Sequence, residues 1–275
     1  MHYLSRALIP LAGTLAISSV AFAADMPTKV PVAPAPAVYN WTGFYAGLNA
    51  GGTWGHSDVA TSTIFDPAGY FASTSVPGVN AAGAGSVDTS GFTGGGQIGY
   101  NWQTSNNVVL GLEADFQYFG NDETRTVSSP YPAPFGAFSF GISQNVKTDW
   151  LFTLRPRLGF ASNNWLFYVT GGLAVTNLKT SFNFVDNFGT PNTTASGSGS
   201  DTKAGWTLGG GVEYGWTPRW TVRLEYLYVQ FDDVTMTSNN LVNHAGPGFP
   251  FPQNTFTHSA DLQSSIVRGA INYRF

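Results

Sequence analysis

The sequence predicts an all-β protein, an eight-stranded antiparallel up-and-down transmembrane β-barrel. Apolar and polar residues alternate along much of the chain, so the mean hydropathy is −0.04 although 43% of the residues are hydrophobic. Long polar connections and tight turns follow the alternating runs in strict succession. In the last run, residues 265–275, Val267, Ile271 and Phe275 share one face and Arg268 lies on the other. One apolar and one charged face suit a barrel wall between lipid and a polar interior.

Composition excludes several other classes of protein. The chain has 12 basic and 16 acidic residues and a formal net charge of −4, whereas a general nucleic-acid binder shows a basic patch. It has no cysteine, so neither a disulfide framework nor thiolate chemistry is available. No segment reaches the roughly 18 consecutive apolar residues of a transmembrane helix. Any membrane crossing is therefore expected to use strands.

The first 23 residues have the pattern of a secretory signal peptide. Arg6 is followed by the mostly apolar residues 7–20 and then by Ala21-Phe22-Ala23, which matches an A-x-A cleavage site. A short N-terminal anchor is the alternative, but the apolar run is too short to span a bilayer. We therefore expect export, removal of residues 1–23, and a mature protein in the cell outer membrane.

Residues 24–40 form a segment rich in proline and small residues. Such a segment favours an extended, semi-rigid conformation and does not join a packed core. We interpret it as a periplasmic N-terminal segment, and the barrel is expected to occupy residues 41–275. The prolines are Pro27, Pro31, Pro34 and Pro36.

Eight runs alternate between an apolar and a polar face, and these are the predicted strands. In the third run, for example, Leu112, Ala114 and Phe116 alternate with Glu113 and Asp115. In each run the apolar face is predicted to contact lipid and the polar face to line the interior. The runs cover residues 41–55, 92–103, 108–118, 149–160, 165–175, 205–216, 220–228 and 265–275.

The connections between these runs are alternately long and short. Long loops on one side and short turns on the other are typical of outer-membrane barrels, and an even number of strands puts both barrel ends beside the short turns. The long stretches, predicted to be extracellular loops, are residues 56–90, 120–146, 176–201 and 232–260. The tight periplasmic turns are predicted at residues 104–107, 162–164 and 217–219.

The eight tryptophans predict two aromatic belts at the two membrane interfaces. A soluble sandwich core with packed aromatics is the alternative, but charges recur opposite the aromatics in strand after strand. The tryptophans predicted at the short-turn end are Trp41, Trp102, Trp165, Trp216 and Trp220. Those predicted at the long-loop end are Trp54, Trp150 and Trp206.

Six segments together resemble a known family: WTGFYAGLNAGGTWG, GLEADFQ, RPRLGFA, YVTGGLAV, GWTLGGGVEYGW and VRGAINYRF. They are similar to small outer-membrane barrels of the OmpA-like superfamily, in particular the RopB-type, or porin-family, proteins of alphaproteobacteria. The resemblance covers all eight runs and implies an eight-stranded barrel with structural and host-surface roles. It also implies that the insertion machinery reads the terminal aromatics, Tyr273 and Phe275. Some relatives are described as haem-binding, but the long loops carry no motif that transfers.

Histidine, serine and glycine motifs give only weak signals of chemistry. His56, His244 and His258 are predicted in loops and lack the spacing of a metal site. The dipeptides His56-Ser57 and His258-Ser259 are similar to pairs at the rim of barrel-type lipid hydrolases, but a nucleophile needs a base oriented by a third group. The glycine clusters at residues 94–96 and 209–211 are expected to permit bending and close packing inside a narrow barrel.

The most informative residues are eight charged side chains on the inward faces. Four acids and four bases are predicted to form one belt across an interior that eight strands leave just wide enough for side chains. A balanced belt would plug the barrel, and a gated ion path along the same residues is the alternative. The acids are Glu113, Asp115, Glu213 and Glu225, and the bases are Arg155, Arg157, Arg223 and Arg268.

These observations predict a non-enzymatic outer-membrane barrel with a structural, envelope-integrity and surface-interaction role. A narrow channel for ions or small solutes is the main alternative, and a rim lipid hydrolase or a haem-binding surface protein is a weaker one. No cofactor is expected. The expected partners are outer-membrane lipid and lipopolysaccharide, the barrel-assembly machinery, and host or surface ligands reached by the long loops.

Overall fold

The computed structural model describes residues 39–189 and 192–275. The predicted signal peptide, residues 1–23, and all but the last two residues of the predicted segment 24–40 lie outside the described residues. Within the described ranges, no helix is both long enough and apolar enough to cross a membrane.

Eight long strands make up most of the described chain, as the alternating runs predict. The strands are β1 (Gly43–Thr63), β2 (Gly85–Gln103), β3 (Val108–Pro130), β4 (Ser139–Ser162), β5 (Trp165–Asp186), β6 (Thr193–Gly215), β7 (Trp220–Ser238) and, near the C-terminus, β10 (Phe256–Arg274). Two short strands, β8 (Val242–Asn243) and β9 (Phe249–Pro250), and one helix, α1 (Val76–Gly83), lie in the connections of this part of the chain.

The eight long strands pair into a closed ring. Each is antiparallel to its sequence neighbour, and β10 pairs with β1 along a register that runs from Tyr45 opposite Arg274 to Thr63 opposite Phe256. Because β5 also pairs with β6, no long strand lies at an open edge. The prediction of an eight-stranded antiparallel up-and-down barrel is therefore confirmed.

The four predicted long loops are longer than the connections that the structure shows, which are residues 64–84, 131–138, 187–192 and 239–255. The strands continue into the predicted loops, so that residues 121–130, for example, pair with residues 139–148 instead of forming a loop. The reason is an inversion of polarity: beyond the apolar wall, the inward side chains are apolar and the outward ones polar. Phe140, Ile142, Phe182 and Phe184 are buried inside this outer part of the barrel. An apolar outer face, the sign of a membrane strand, is missing there.

A bulge in β4 moves one predicted interior residue to the outside. The register between β3 and β4 shifts between Tyr118 and Asn121, and that between β4 and β5 shifts between Thr148 and Leu151. Leu151 therefore faces inward, while Asp149 faces outward and lies 2.5 Å from Lys179 Nζ. Strict alternation along the predicted run 149–160 puts Asp149 on the same inward face as Arg155 and Arg157. This prediction is wrong because the bulge adds a residue.

Seven of the eight tryptophans lie on the outer wall, where the predicted aromatic belts require them, and Trp41 is the exception. Trp54, Trp102, Trp165, Trp206, Trp216 and Trp220 are exposed on the outer wall. Trp150, which is partly exposed, stacks there on Phe116 with 5.7 Å between ring centroids. Trp41 is fully buried and packs with Tyr39, Val109 and Leu166 inside the short-turn end of the barrel. It closes the base of the barrel and is not part of a belt. Since Tyr39 packs there too, the packed base begins two residues before the predicted boundary at residue 41.

Candidate functional site: a buried charge network

The eight predicted interior charges lie together inside the barrel. Each is at most 4% exposed, although they come from five strands. Alternation along each strand explains this placement, because Glu113, Arg155, Glu213, Glu225 and Arg268 all occupy inward positions. The strands then bring together residues that are as far apart in sequence as Asp115 and Arg268.

Arg155 and Arg268 hold the acids on one side of the network. Arg155 Nη2 lies 2.7 Å from Glu113 Oε1 and 2.8 Å from Asp115 Oδ2. Arg268 Nη2 lies 2.6 Å from Glu225 Oε2, and its Nη1 lies 3.2 Å from Asp115 Oδ1. Each of these two arginines thus joins at least two carboxylates, so the charges form a network instead of separate pairs.

Arg223 and Arg157 complete the network. Arg223 Nη1 lies 2.5 Å from Glu113 Oε2, and Arg157 Nη2 donates to Glu213 Oε2 at 2.9 Å. Glu213 also accepts hydrogen bonds from Thr221 at 2.5 Å and from Asn272 at 3.0 Å. Charge-assisted bonds of this kind are stronger than neutral ones, and the four positive charges balance the four negative ones.

Two tyrosines that the sequence analysis did not assign to the site are part of it. Tyr45 donates to Glu113 at 2.5 Å, and Tyr168 donates to Glu225 at 2.7 Å. The Arg157 guanidinium lies 3.9 Å from the centre of the Tyr168 ring, a cation–π contact. Both tyrosines occupy inward positions, so the alternation pattern combined with their hydroxyl groups was the available signal.

Close packing around the network requires glycine at particular positions. A Cβ at Gly211 would lie 2.6 Å from the Tyr168 hydroxyl oxygen, and one at Gly95 would be equally close to the side chain of Gln117. Gln117 accepts a hydrogen bond from Arg268 at 2.7 Å. At these two positions, the expected role of the glycine clusters in close packing agrees with the geometry.

Apolar layers cover the network on both sides along the barrel axis. The next inward residues beyond Glu225 and Arg268 toward the outer end are Leu227 and Ile266, which are fully buried in a cluster to which β1–β5, β7 and β10 all contribute. Toward the short-turn end, the buried cluster of Trp41, Val109 and Leu166 lies beyond the network. The charges therefore lie between two clusters of packed apolar side chains along the barrel axis.

The two predicted assembly residues lie at the short-turn end of the barrel, on the outer wall. The Phe275 side chain is 82% exposed, and its backbone N–H donates to Phe44 O at 3.1 Å. The Tyr273 ring contacts the rings of Phe275 and Trp220, with centroids 5.3 Å and 5.1 Å apart. The pair thus presents an aromatic surface beside the seam between β1 and β10.

The predicted His-Ser pairs do not form catalytic pairs. His56 faces outward and lies 2.7 Å from Asp88 Oδ1, an interaction that raises the pKa of the histidine. Ser57 is buried on the opposite face of β1, where its hydroxyl donates to the backbone oxygen of Asp261. Since neighbouring residues on a strand point in opposite directions, neither dipeptide can act as a nucleophile and its base.

His258 is not the solvated loop residue that the sequence predicts. It lies in β10, is 7% exposed, and stacks on Phe182 at 3.8 Å between ring centroids. Burial lowers its pKa to about 4, and its ring nitrogens contact the hydroxyls of Thr61 and Ser238 at 3.0 and 3.3 Å.

His244, in the connection after β8, contacts the hydroxyl of Thr194. Among the described residues, no group of three or more histidine or acidic side chains is placed to hold a metal ion.

The outer wall of the barrel is apolar, and its interior is ionic. Phe44, Leu48, Ile98 and Phe116 are each more than half exposed on the outside, whereas the charges are buried. This arrangement is the reverse of a soluble protein, and it defines a membrane-embedded β-barrel.

Comparison with known proteins gives the family and the location. The sequence matches the family described as outer membrane protein beta-barrel domain over residues 27–247, and the chain belongs to this family. It is 36% identical over 261 residues to the 31 kDa outer-membrane immunogenic protein of Brucella melitensis, with 93% of each chain covered. It is 32% identical over 205 residues to the 22 kDa outer membrane protein of Rhizobium leguminosarum, covering 74% of this chain and 69% of the relative. The chain is thus an outer-membrane protein of the Gram-negative type.

Among solved structures, the chain can be superposed on the outer membrane protease OmpT from Escherichia coli. The superposition covers 87% of this chain and 99% of OmpT, with a TM-score of 0.40 and 11% sequence identity. A TM-score and a sequence identity this low give no information about the activity of this protein.

Proposed function

We propose that this protein is a closed barrel that anchors in the outer membrane, supports the envelope, and presents its outer end to surface partners. The observation that carries the proposal is the buried network, in which Arg155, Arg268 and their partner acids are joined by ion pairs across the interior and are almost fully buried. An eight-stranded barrel leaves an interior just wide enough to be filled by side chains. The apolar layers on both sides support closure, because an ion would have to cross them without water.

The outer part of the barrel supports the surface role. Its strands continue well beyond the apolar wall and enclose a second apolar core that contains Phe140, Phe184 and Phe256. A packed outer end presents a fixed surface, which suits recognition by a partner. The name of the Brucella relative, an outer-membrane immunogenic protein, fits a barrel whose outer end is accessible. Haem binding, drawn from the resemblance alone, stays a prediction.

The channel alternative is tested by conductance. Folded, purified protein inserted into planar lipid bilayers is expected to give no steady current, whereas a general porin in the same bilayers gives open-channel steps. The closed interior is the physical reason, since ion passage requires a continuous water path. Steady current from the unmodified protein would overturn closure and favour the narrow channel.

The assembly role of Phe275 is tested by substitution. Phe275→Ala is expected to lower the amount of folded protein in the outer membrane, because the insertion machinery is proposed to read the terminal aromatic. Phe92→Ala is the matched control, since Phe92 is also a lipid-exposed phenylalanine, 58% exposed, but lies far from the C-terminus. Folded protein is measured by its heat-modifiable mobility on gels. Equal yields of the two variants would remove the proposed role.

A further inference from the structure

In the part of the chain that the structure describes, one buried acid at the outer end of the barrel has no basic partner. Asp186, the last residue of β5, is 2% exposed. It accepts hydrogen bonds from the Tyr131 hydroxyl at 2.5 Å and the Tyr70 hydroxyl at 2.9 Å, and from the backbone N–H of Phe188 at 3.2 Å. Among the described residues, no lysine, arginine or histidine forms an ion pair with it. Its negative charge is thus hydrogen-bonded but not balanced.

This situation differs from that of the acids in the barrel interior. There each buried acid lies beside at least one arginine, whereas the donors to Asp186 within the described ranges are all neutral. Burial raises the pKa of the Asp186 carboxyl above its usual value, because removal from water disfavours the charged form. A positive charge placed nearby would offset this cost.

A cavity lined with aromatic side chains lies beside this carboxylate. Its volume is about 80 Å³, it opens to solvent, and its walls include Phe71, Phe135 and Phe188. Tyr70 and Tyr131 also line it, and these are the two residues whose hydroxyls bind Asp186. Aromatic faces carry negative potential and attract cations. The rings and the carboxylate therefore favour positive charge in the same space.

We propose that this cavity binds a small organic cation, a methylated ammonium group, with the aromatic rings as its walls and Asp186 as its counter-charge behind them. The size agrees, because a cavity of about 150 Å³ holds benzene, and one about half as large suits a group of three or four heavy atoms. A metal ion would need oxygen ligands converging on it, and the walls are mainly carbon. The nearby start of α1 does not favour an anion, since the N–H groups of Ser75 and Val76 both donate to Ala72 O.

This inference does not depend on the barrel being closed. The cavity lies among the outer connections and strand ends, so a conducting barrel would retain it. The proposed site would give the outer end of the protein the ability to bind small organic cations.

The test compares two probes of the same shape. Choline carries a trimethylammonium group, and 3,3-dimethylbutan-1-ol replaces its nitrogen with carbon and has no charge. Binding to the folded full-length protein is measured by saturation-transfer NMR of the methyl signals and by titration, in a maltoside detergent that has no choline headgroup. Choline is expected to bind at least about tenfold more tightly than the neutral probe, which corresponds to about 1.4 kcal/mol. Equal binding of the two probes, or no binding of choline, would overturn the proposal.

Variants separate this site from general surface charge. Asp186→Asn keeps the shape and one acceptor oxygen, and it is expected to reduce choline affinity several-fold, while the aromatic walls retain part of the preference over the neutral probe. Asp201→Asn is the matched control, because it removes an exposed charge from β6, also in the outer part of the barrel. It is expected to leave choline binding unchanged. Equal losses in both variants would mean non-specific attraction and would contradict the proposal.

A second substitution keeps the test valid if Asp186→Asn fails to fold. Phe188→Leu removes one aromatic wall from a side chain that is 39% exposed, so the barrel should tolerate it. Choline affinity is expected to fall several-fold while binding of the neutral probe changes little, because only the cation–π attraction is lost. Unchanged preference for choline in this folded variant would refute the aromatic site.

Discussion

Arg157→Met is expected to lower the free energy of unfolding by about 3–5 kcal/mol, the usual cost of removing one partner from a buried ion pair. Glu213 is 2% exposed, and Arg157 is its arginine partner among the described residues, at 2.9 Å. Methionine fills much of the space of the arginine but removes the only basic nitrogen of the described residues that lies within 4.0 Å of this carboxylate. Arg223, opposite Glu213 on β7, remains as a more distant positive charge. The remaining donors, Thr221 and Asn272, are neutral and compensate only in part.

The reverse substitution should cost less. In Glu213→Gln, Arg157 keeps its hydrogen bond to the Tyr45 hydroxyl at 2.9 Å and lies 3.6 Å from Glu113. The arginine therefore keeps an acid at ion-pair distance, whereas in Arg157→Met the nearest positive charge to Glu213 is the more distant Arg223. The two single variants thus distinguish a network from a simple pair, in which both losses would be similar.

The double variant Arg157→Met/Glu213→Gln should be more stable than the sum of the two single losses predicts, because neither charge is then unpaired. The measurement is denaturant unfolding in detergent, followed by tryptophan fluorescence and heat-modifiable mobility. Leu154→Ala, on the lipid-facing side of β4, is the control and should change stability much less. Small, additive effects of the three network variants would show that the charges do not act as a network.

Much of this network could be predicted from sequence because alternation alone decides which way a strand residue points. The inward positions of Glu113 and Arg155 follow directly from the apolar residues between which they lie. The contact between Asp115 and Arg268 could not be predicted in the same way, since it depends on the register of several strand pairs around the ring. Alternation also places Tyr45 and Tyr168 inside, but their hydrogen bonds to Glu113 and Glu225 depend on the register in the same way.

The outer half of the barrel could not be predicted from the criterion that located the membrane strands. That criterion requires an apolar outward face, but beyond the membrane the outward face meets water and the apolar residues turn inward. Bulges also break the alternation, as at Asp149, where strict counting gives the wrong side. Asp186 and His258 were therefore assigned to loops, although both lie in strands and are buried.

The outer core gives the second large prediction: Phe184→Ala should destabilise the outer end by about 3–5 kcal/mol, as is typical of a buried phenylalanine. Phe184 is 1% exposed, and its ring centroid lies 5.3 Å from that of Phe256 and 5.5 Å from that of Phe71. Truncation removes contacts to both, and so loosens β10 and the connection that carries α1.

The loss should remain local. The membrane part of the barrel has its own apolar cluster, its charge network and its lipid-facing wall, none of which contacts the outer core through Phe184. Regions of a protein that have separate cores can open separately. Limited proteolysis should therefore cut Phe184→Ala in the connection between β1 and β2, while the unmodified protein resists and the heat-modifiable mobility of both stays the same before cleavage.

Val185→Ala is the matched control, since Val185 is the next residue of β5 and faces outward with 41% exposure. Its truncation should change stability by about 0.5 kcal/mol or less, as is usual for surface positions, and should leave protease resistance intact. If Phe184→Ala resists the protease as the unmodified protein does, the outer core contributes little. If it instead loses heat-modifiable mobility altogether, the outer and membrane parts fold as one unit, and the fixed surface proposed for the outer end depends on the whole barrel.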